Sequence, residues 1–169
     1  MRKAFLTIFI LTILFNTLSY IMLPDEVAIH FGRGGRGDSR AAKEVNCLLF
    51  LGIDFLLFLL FWYSPALIMK TPAKWVNLPN KSYWLAGENK PLTRQKMESL
   101  MSEFGIAFFI FFFFISILTL DANLSDPVKL NESLLLTFLV IFLIYTVYWC
   151  IKLYRSFRVP KKSSDYEQS

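Results

Sequence analysis

The chain has 169 residues, of which 55% are hydrophobic, 17% aromatic and only 18% charged, with a formal net charge of +5. Soluble domains carry roughly 25% charged residues and spread their apolar residues with a period. Here the apolar residues gather in four blocks, which excludes an ordinary soluble fold, and the basic excess needs no nucleic acid to explain it.

The blocks cover residues 4–23, 46–69, 104–120 and 134–153. About 20 apolar residues in a helix cross the ~30 Å hydrocarbon layer. The third block is short, which local bilayer thinning accommodates. Residues 108–114 are all Phe or Ile and have no polar face to offer water. The expectation is an all-α integral membrane protein, a single four-span domain over 1–155 with a disordered tail over 156–169. Arg2 and Lys3 precede the first block as in a signal peptide. The apolar region is too long for one and no small-x-small cleavage site follows, so it reads as a retained span.

Between the first two spans lies a glycine-rich loop, residues 20–43. Pro24 ends the first helix. Residues 26–31 read as extended, and the run Gly32-Arg33-Gly34-Gly35-Arg36-Gly37 as a flexible turn. Asp38 or Ser39 is then the expected N-cap of the second helix. Ser64-Pro65 marks a kink or the start of that helix's end. The prolines, asparagines and glycine of residues 70–90 argue against regular structure there, and its Trp and Tyr lay it on the membrane surface. Pro91 suits the first turn of a long helix over 92–120. Residues 121–133 form a short polar loop.

Lys and Arg collect on the cytoplasmic side of short loops. With the N-terminus inside, only Arg33, Arg36, Arg40, Lys43 and Lys129 fall outside, against thirteen inside. Both termini are therefore expected in the cytoplasm, with the glycine-rich loop outside. Trp62, Tyr63, Trp75, Tyr148, Trp149 and Tyr154 read as belt anchors at the inner interface. Cys47 and Cys150 fall on opposite sides, beyond disulfide reach, and read as small packing residues.

The polar residues within the spans are few. Asp54 sits in the second span at nearly the same depth as Asn16 in the first. Thr12, Asn16 and Ser19 share one helix face, and Ser116, Thr119 and Thr137 lie in the same half of their spans. The expectation is a polar layer open toward the glycine-rich loop. It serves either as interhelical hydrogen bonding or as a site where Asp54 exchanges a proton or meets a ligand.

In the loop, His30, Phe31, Arg33, Gly35, Arg36, Asp38 and Lys43 are the candidate contacts. His30 with Asp25 and Asp38 has no metal-site spacing, so no metal and no cofactor are expected. The glycine–arginine run offers backbone N–H groups and two guanidiniums to an anion. It is not a nucleotide loop, because the GK[ST] ending is missing. Arg36-Gly37-Asp38 matches the adhesion tripeptide by chance. The bland alternative is a structured loop with a His30–Asp38 hydrogen bond. No nucleophile–base pair appears, so an enzyme is not expected.

Leu23-Pro24, Ile29-His30-Phe31, Gly35, Asp38 and Lys43 follow the pattern after the first span of a bacterial membrane domain of unknown function. The segment Asn77-Leu78-Pro79-Asn80-Lys81 with Tyr83-Trp84-Leu85 matches a second motif of that domain, in the same order. The chain thus resembles the N-terminal part of SdpI-type toxin-immunity proteins. It departs in Gly32, where asparagine is usual, and in having four spans where those proteins continue. The resemblance implies a multi-pass protein of the bacterial inner membrane, some of whose relatives protect against a secreted peptide toxin.

The sequence favours a non-enzymatic membrane protein that recognises a peptide, a lipid headgroup or another membrane subunit at its outer loop. Asn16 and Asp54 are the buried polar support, and Asn77, Pro79, Asn80, Tyr83 and Trp84 an inner docking segment. The alternatives are a small proton-coupled transporter or transporter subunit using Asp54, and a structural subunit of a larger complex.

Overall fold

The computed structural model describes residues 1–160. It is mostly helical, with four helices long and apolar enough to cross a membrane. In chain order the elements are α1 (Arg2–Met22), β1 (Glu26–Phe31), β2 (Gly37–Ala42), α2 (Lys43–Lys70), a short α3 (Lys81–Trp84), α4 (Lys90–Leu124) and α5 (Glu132–Ser156). α1, α2 and α4 pack on one another as a three-helix core, and α5 packs mainly on α4.

Local chemistry explains the boundaries. α1 stops at Met22 because Leu23 turns extended and Pro24 cannot continue a helix. α2 runs on through Pro65 to Lys70, so the proline lies inside the helix five residues before its end. Proline leaves the Phe61 carbonyl without its helical donor, and the Ser64 hydroxyl donates to it at 3.4 Å. α4 begins with Pro91 in its first turn, where a missing N–H costs nothing. At 35 residues it is about 52 Å long, so it outreaches the hydrocarbon layer. α5 is capped by Asn131, whose side chain accepts from the Leu134 N–H at 3.1 Å.

The all-α expectation is corrected at the loop between α1 and α2. β1 and β2 form an antiparallel hairpin, pairing Glu26 with Ala42, Val27 with Ala41, Ala28 with Arg40, His30 with Ser39 and Phe31 with Gly37. The expected cap at Asp38 or Ser39 is absent because both lie in β2, and α2 starts four to five residues later. Residues 70–90 are also more ordered than expected, holding a 3-10 turn at Ala73–Trp75 and the one-turn α3.

Two apolar clusters fill the end of the bundle away from the hairpin. Phe5, Phe9 and Phe109 pack with Phe58, Phe61 and Trp62 between α1, α2 and α4. Gly105 permits this, because a Cβ there would stand 2.5 Å from the Phe5 ring. The second cluster joins Val76, Leu78 and Trp84 to Met97, Leu100, Trp149 and Phe157. Trp149 is only 9% exposed and donates its ring N–H to the Leu100 carbonyl at 3.1 Å, so it is core and not belt. Tyr63, Trp75, Tyr148 and Tyr154 are exposed, as belt residues would be. Phe157, the first residue after α5, is fully buried; residues 161–169 of the expected tail lie outside the described residues.

Candidate functional site

The hairpin is fixed at its base, its middle and its tip. At the base, the Lys43 N–H donates to the Asp25 carbonyl at 3.0 Å and its ammonium pairs with the Asp25 carboxylate at 2.9 Å. Lys43 is thus spent on closing the hairpin, and Asp25 is drawn away from His30. In the middle, Asn123 near the end of α4 holds Ala28. Its Oδ1 accepts from the Ala28 N–H at 2.6 Å and its Nδ2 donates to the Ala28 carbonyl at 3.1 Å. At the tip, the Leu130 N–H donates to the Gly35 carbonyl at 2.7 Å, and Arg36 forms a bridge with Lys129. Gly35 has φ +73° and its Cα faces the Leu130 carbonyl with no room for a Cβ. Glycine is required there by both backbone angle and space.

His30 Nδ1 and Asp38 Oδ1 lie 2.5 Å apart across the two strands. Their side chains are 69% and 51% exposed. The contact locks the turn while leaving the ring reachable. Gly32 sits against the Asp38 carboxylate so closely that any side chain there would displace it. Arg33 and Arg36 are exposed at the tip and form no ion pair among the described residues. Phe31 is half-buried and packs toward Leu118, Ala122 and Leu130. Beside the tip, a polar groove of about 480 Å³ runs past Gly34, Asp121, Lys129 and Glu132.

The buried polar layer is present beneath the hairpin. Asn16 Nδ2 donates to Asp54 Oδ2 at 2.8 Å, and Asp54 is fully buried. Thr12, Ser19, Asn46 and Ser116 are also buried, and Ser19, Asn46 and Ser116 line a small cavity together with Asn16. Thr137 does not belong to the layer: it is exposed on α5 and donates to its own helix at Ser133.

At the opposite end, residues 77–84 turn their strongest groups inward. The Trp84 ring N–H and the Asn80 amide both donate to the Phe157 carbonyl, at 2.8 and 2.9 Å. Asn80 takes φ +51° to start α3. Lys96 lies 4.2 Å over the Trp84 ring and donates to the Ser156 carbonyl at 2.9 Å. Cations and donors suit the exposed carbonyls at a helix C-terminus. Trp84 and Asn80 therefore clamp the end of α5; Asn77 and Tyr83 remain exposed and Pro79 half-buried.

Sequence reading missed Asn123, Lys96 and Phe157, and also the Lys152–Glu103 ion pair at 2.6 Å between α5 and α4. Asn123 carried a signal, being a lone amide one turn past an apolar span. Phe157 carried none. Among the described residues no three His, Cys, Asp or Glu side chains cluster as a metal site. Comparison of the chain with protein-family models, with curated proteins and with solved structures gave no significant match.

Proposed function

We propose that the protein is a non-catalytic, multi-pass protein of the bacterial inner membrane that recognises a peptide or a membrane partner with its hairpin. Both termini lie in the cytoplasm and the hairpin outside, the arrangement favoured by the distribution of Lys and Arg. One observation carries the reading. Arg33 and Arg36 stand exposed, with no carboxylate partner among the described residues, on a platform held at its base, middle and tip. A rigid mount lowers the ordering cost of binding, and paired guanidiniums suit carboxylate groups. The resemblance of the hairpin sequence to the corresponding loop of SdpI-type immunity proteins supports an outer-face role.

The test is protection of a sensitive bacterial strain against a panel of secreted peptide toxins, at matched membrane levels of each variant. Wild type and the lipid-facing control Leu48→Ala protect; Arg33→Ala/Arg36→Ala and His30→Ala/Asp38→Ala do not. Lack of protection by wild type against every peptide removes the immunity-type reading.

A further inference from the structure

The three-helix core is divided across its length. Toward the hairpin its interior is polar, with Ser19, Asn46, Asn16, Ser116 and Thr12 all buried. A partly enclosed cavity of about 20 Å³ lies among Asn16, Ser19, Asn46, Cys47, Ser116 and Thr119. That is room for one water molecule, with several polar partners around it. Asn16 joins the cavity to Asp54 by its amide. Beyond Asp54 the interior becomes apolar and largely aromatic. Phe9 stacks on Phe58 at 4.1 Å between centroids, and Phe5 and Phe109 close around them.

Among the described residues Asp54 has no ion-pair partner. No Lys, Arg or His lies between Lys3 and Asp25 on α1, between Glu44 and Lys70 on α2, between Glu103 and Asp121 on α4, or between Glu132 and Lys152 on α5. The other titratable groups in those stretches are Tyr20, Cys47, Tyr63, Tyr145, Tyr148 and Cys150. None supplies positive charge. Asp54 Oδ2 accepts from Asn16, whereas Oδ1 is buried with no hydrogen-bond partner. A fully buried, uncompensated carboxylate is among the costliest groups a bilayer interior can hold. A metal cation would need several oxygen ligands, and among the described residues no three His, Cys, Asp or Glu side chains gather to hold one. A proton needs only Oδ1 itself.

We infer that Asp54 is a proton-binding site served from the hairpin end of the molecule. The carboxyl carries its proton on Oδ1 while Oδ2 keeps the Asn16 bond. The proton exchanges through the Asn16–Asn46–Ser116 cavity, and the Phe5, Phe9, Phe58 and Phe109 rings close the other direction. This extends beyond recognition by the hairpin, and its test does not depend on any ligand of the hairpin.

The experiment labels the full-length protein with dicyclohexylcarbodiimide, which reacts with protonated carboxyls in apolar surroundings. It uses right-side-out and inverted membrane vesicles with the pH clamped separately on each side. Mass spectrometry reads modification at residue 54. Wild type is modified, and modification falls at least about tenfold when the hairpin-side pH rises from about 5 to about 9, because only the protonated carboxyl reacts. Raising the pH on the opposite side alone leaves it unchanged, and Asp54→Glu keeps the behaviour. Absence of labelling, labelling indifferent to pH, control by the opposite compartment, or protection by sodium would each overturn the proposal.

Discussion

Asn123 and Ala28 are joined by both ends of one amide, although 95 residues separate them in the chain. The side chain replaces a neighbouring strand for Ala28, satisfying an N–H and a C=O that are buried at 1% exposure. A third bond, from Nδ2 to the Thr119 carbonyl at 3.1 Å, fixes the amide's orientation on α4. Asn123→Ala leaves both Ala28 groups unpaired, at roughly 1–3 kcal/mol for each. We expect hydrogen exchange of residues 26–42 to accelerate strongly while α1 and α2 stay protected. Unchanged exchange in the hairpin would show that Asn123 is not what holds it.

Gly34 and Gly35 separate two effects of a side chain. Both have positive φ, but nothing lies within 4 Å of a Cβ on Gly34, whereas a Cβ on Gly35 collides with the Leu130 carbonyl. Gly34→Ala should cost only the left-handed backbone penalty, about 1–2 kcal/mol. Gly35→Ala should cost more and break the Leu130–Gly35 hydrogen bond. Unfolding free energies in nanodiscs, together with exchange at the Leu130 amide, read the difference.

Trp84 can be dissected in the same way. Trp84→Phe keeps a ring under Lys96 but removes the donor to Phe157, for an expected loss of about 1 kcal/mol. Trp84→Ala also empties the cluster around it, for about 3–5 kcal/mol. Equal losses in the two variants would mean that the indole N–H alone matters.

Glu103 and Lys152 form the chief charged link between α4 and α5, with side chains 16% and 38% exposed. Each single change to Gln leaves the other charge without its partner. The double variant should recover part of the combined loss, giving a coupling energy of about 0.5–3 kcal/mol in a double-mutant cycle. An additive result would make the pair incidental.

Topology is checked by cysteine substitution at Arg36 and at Lys90. In intact cells a membrane-impermeant thiol reagent should label the first and not the second. The reverse pattern would invert the molecule and overturn the placement of the hairpin outside.

The spans were legible because a hydrocarbon layer imposes one simple demand, and four apolar blocks meet it. The Asn16–Asp54 pair was legible for the same reason, since depth along a straight helix follows from residue count. The hairpin was read only as an extended arm and a turn. Its second strand, Gly37-Asp38-Ser39-Arg40-Ala41-Ala42, lacks the β-branched and aromatic residues that mark strands, and it is held by Asn123 and Leu130 from far along the chain. The region around Trp84 misled for a related reason. Trp, Tyr and Asn beside a membrane look like surface anchors, and only the return of Phe157 turns two of them inward. Outside the spans, where depth along a helix no longer orders the residues, the partners of Trp84 and Asn80 leave no trace in local pattern.

The clamp on Phe157 also sets an order of events during synthesis. Trp84 and its acceptor are 73 residues apart. At the ~5–20 residues per second of translation, the indole is made about 4–15 s before the carbonyl it will meet. Through that interval Trp84, Leu78 and Val76 have lost the partner that closes their cluster. A chain that stalls or is cut before Phe157 would carry every span yet leave the Trp84 N–H without its acceptor at the end of the bundle opposite the hairpin. Completion of the last helix is thereby what closes the cluster around Trp84.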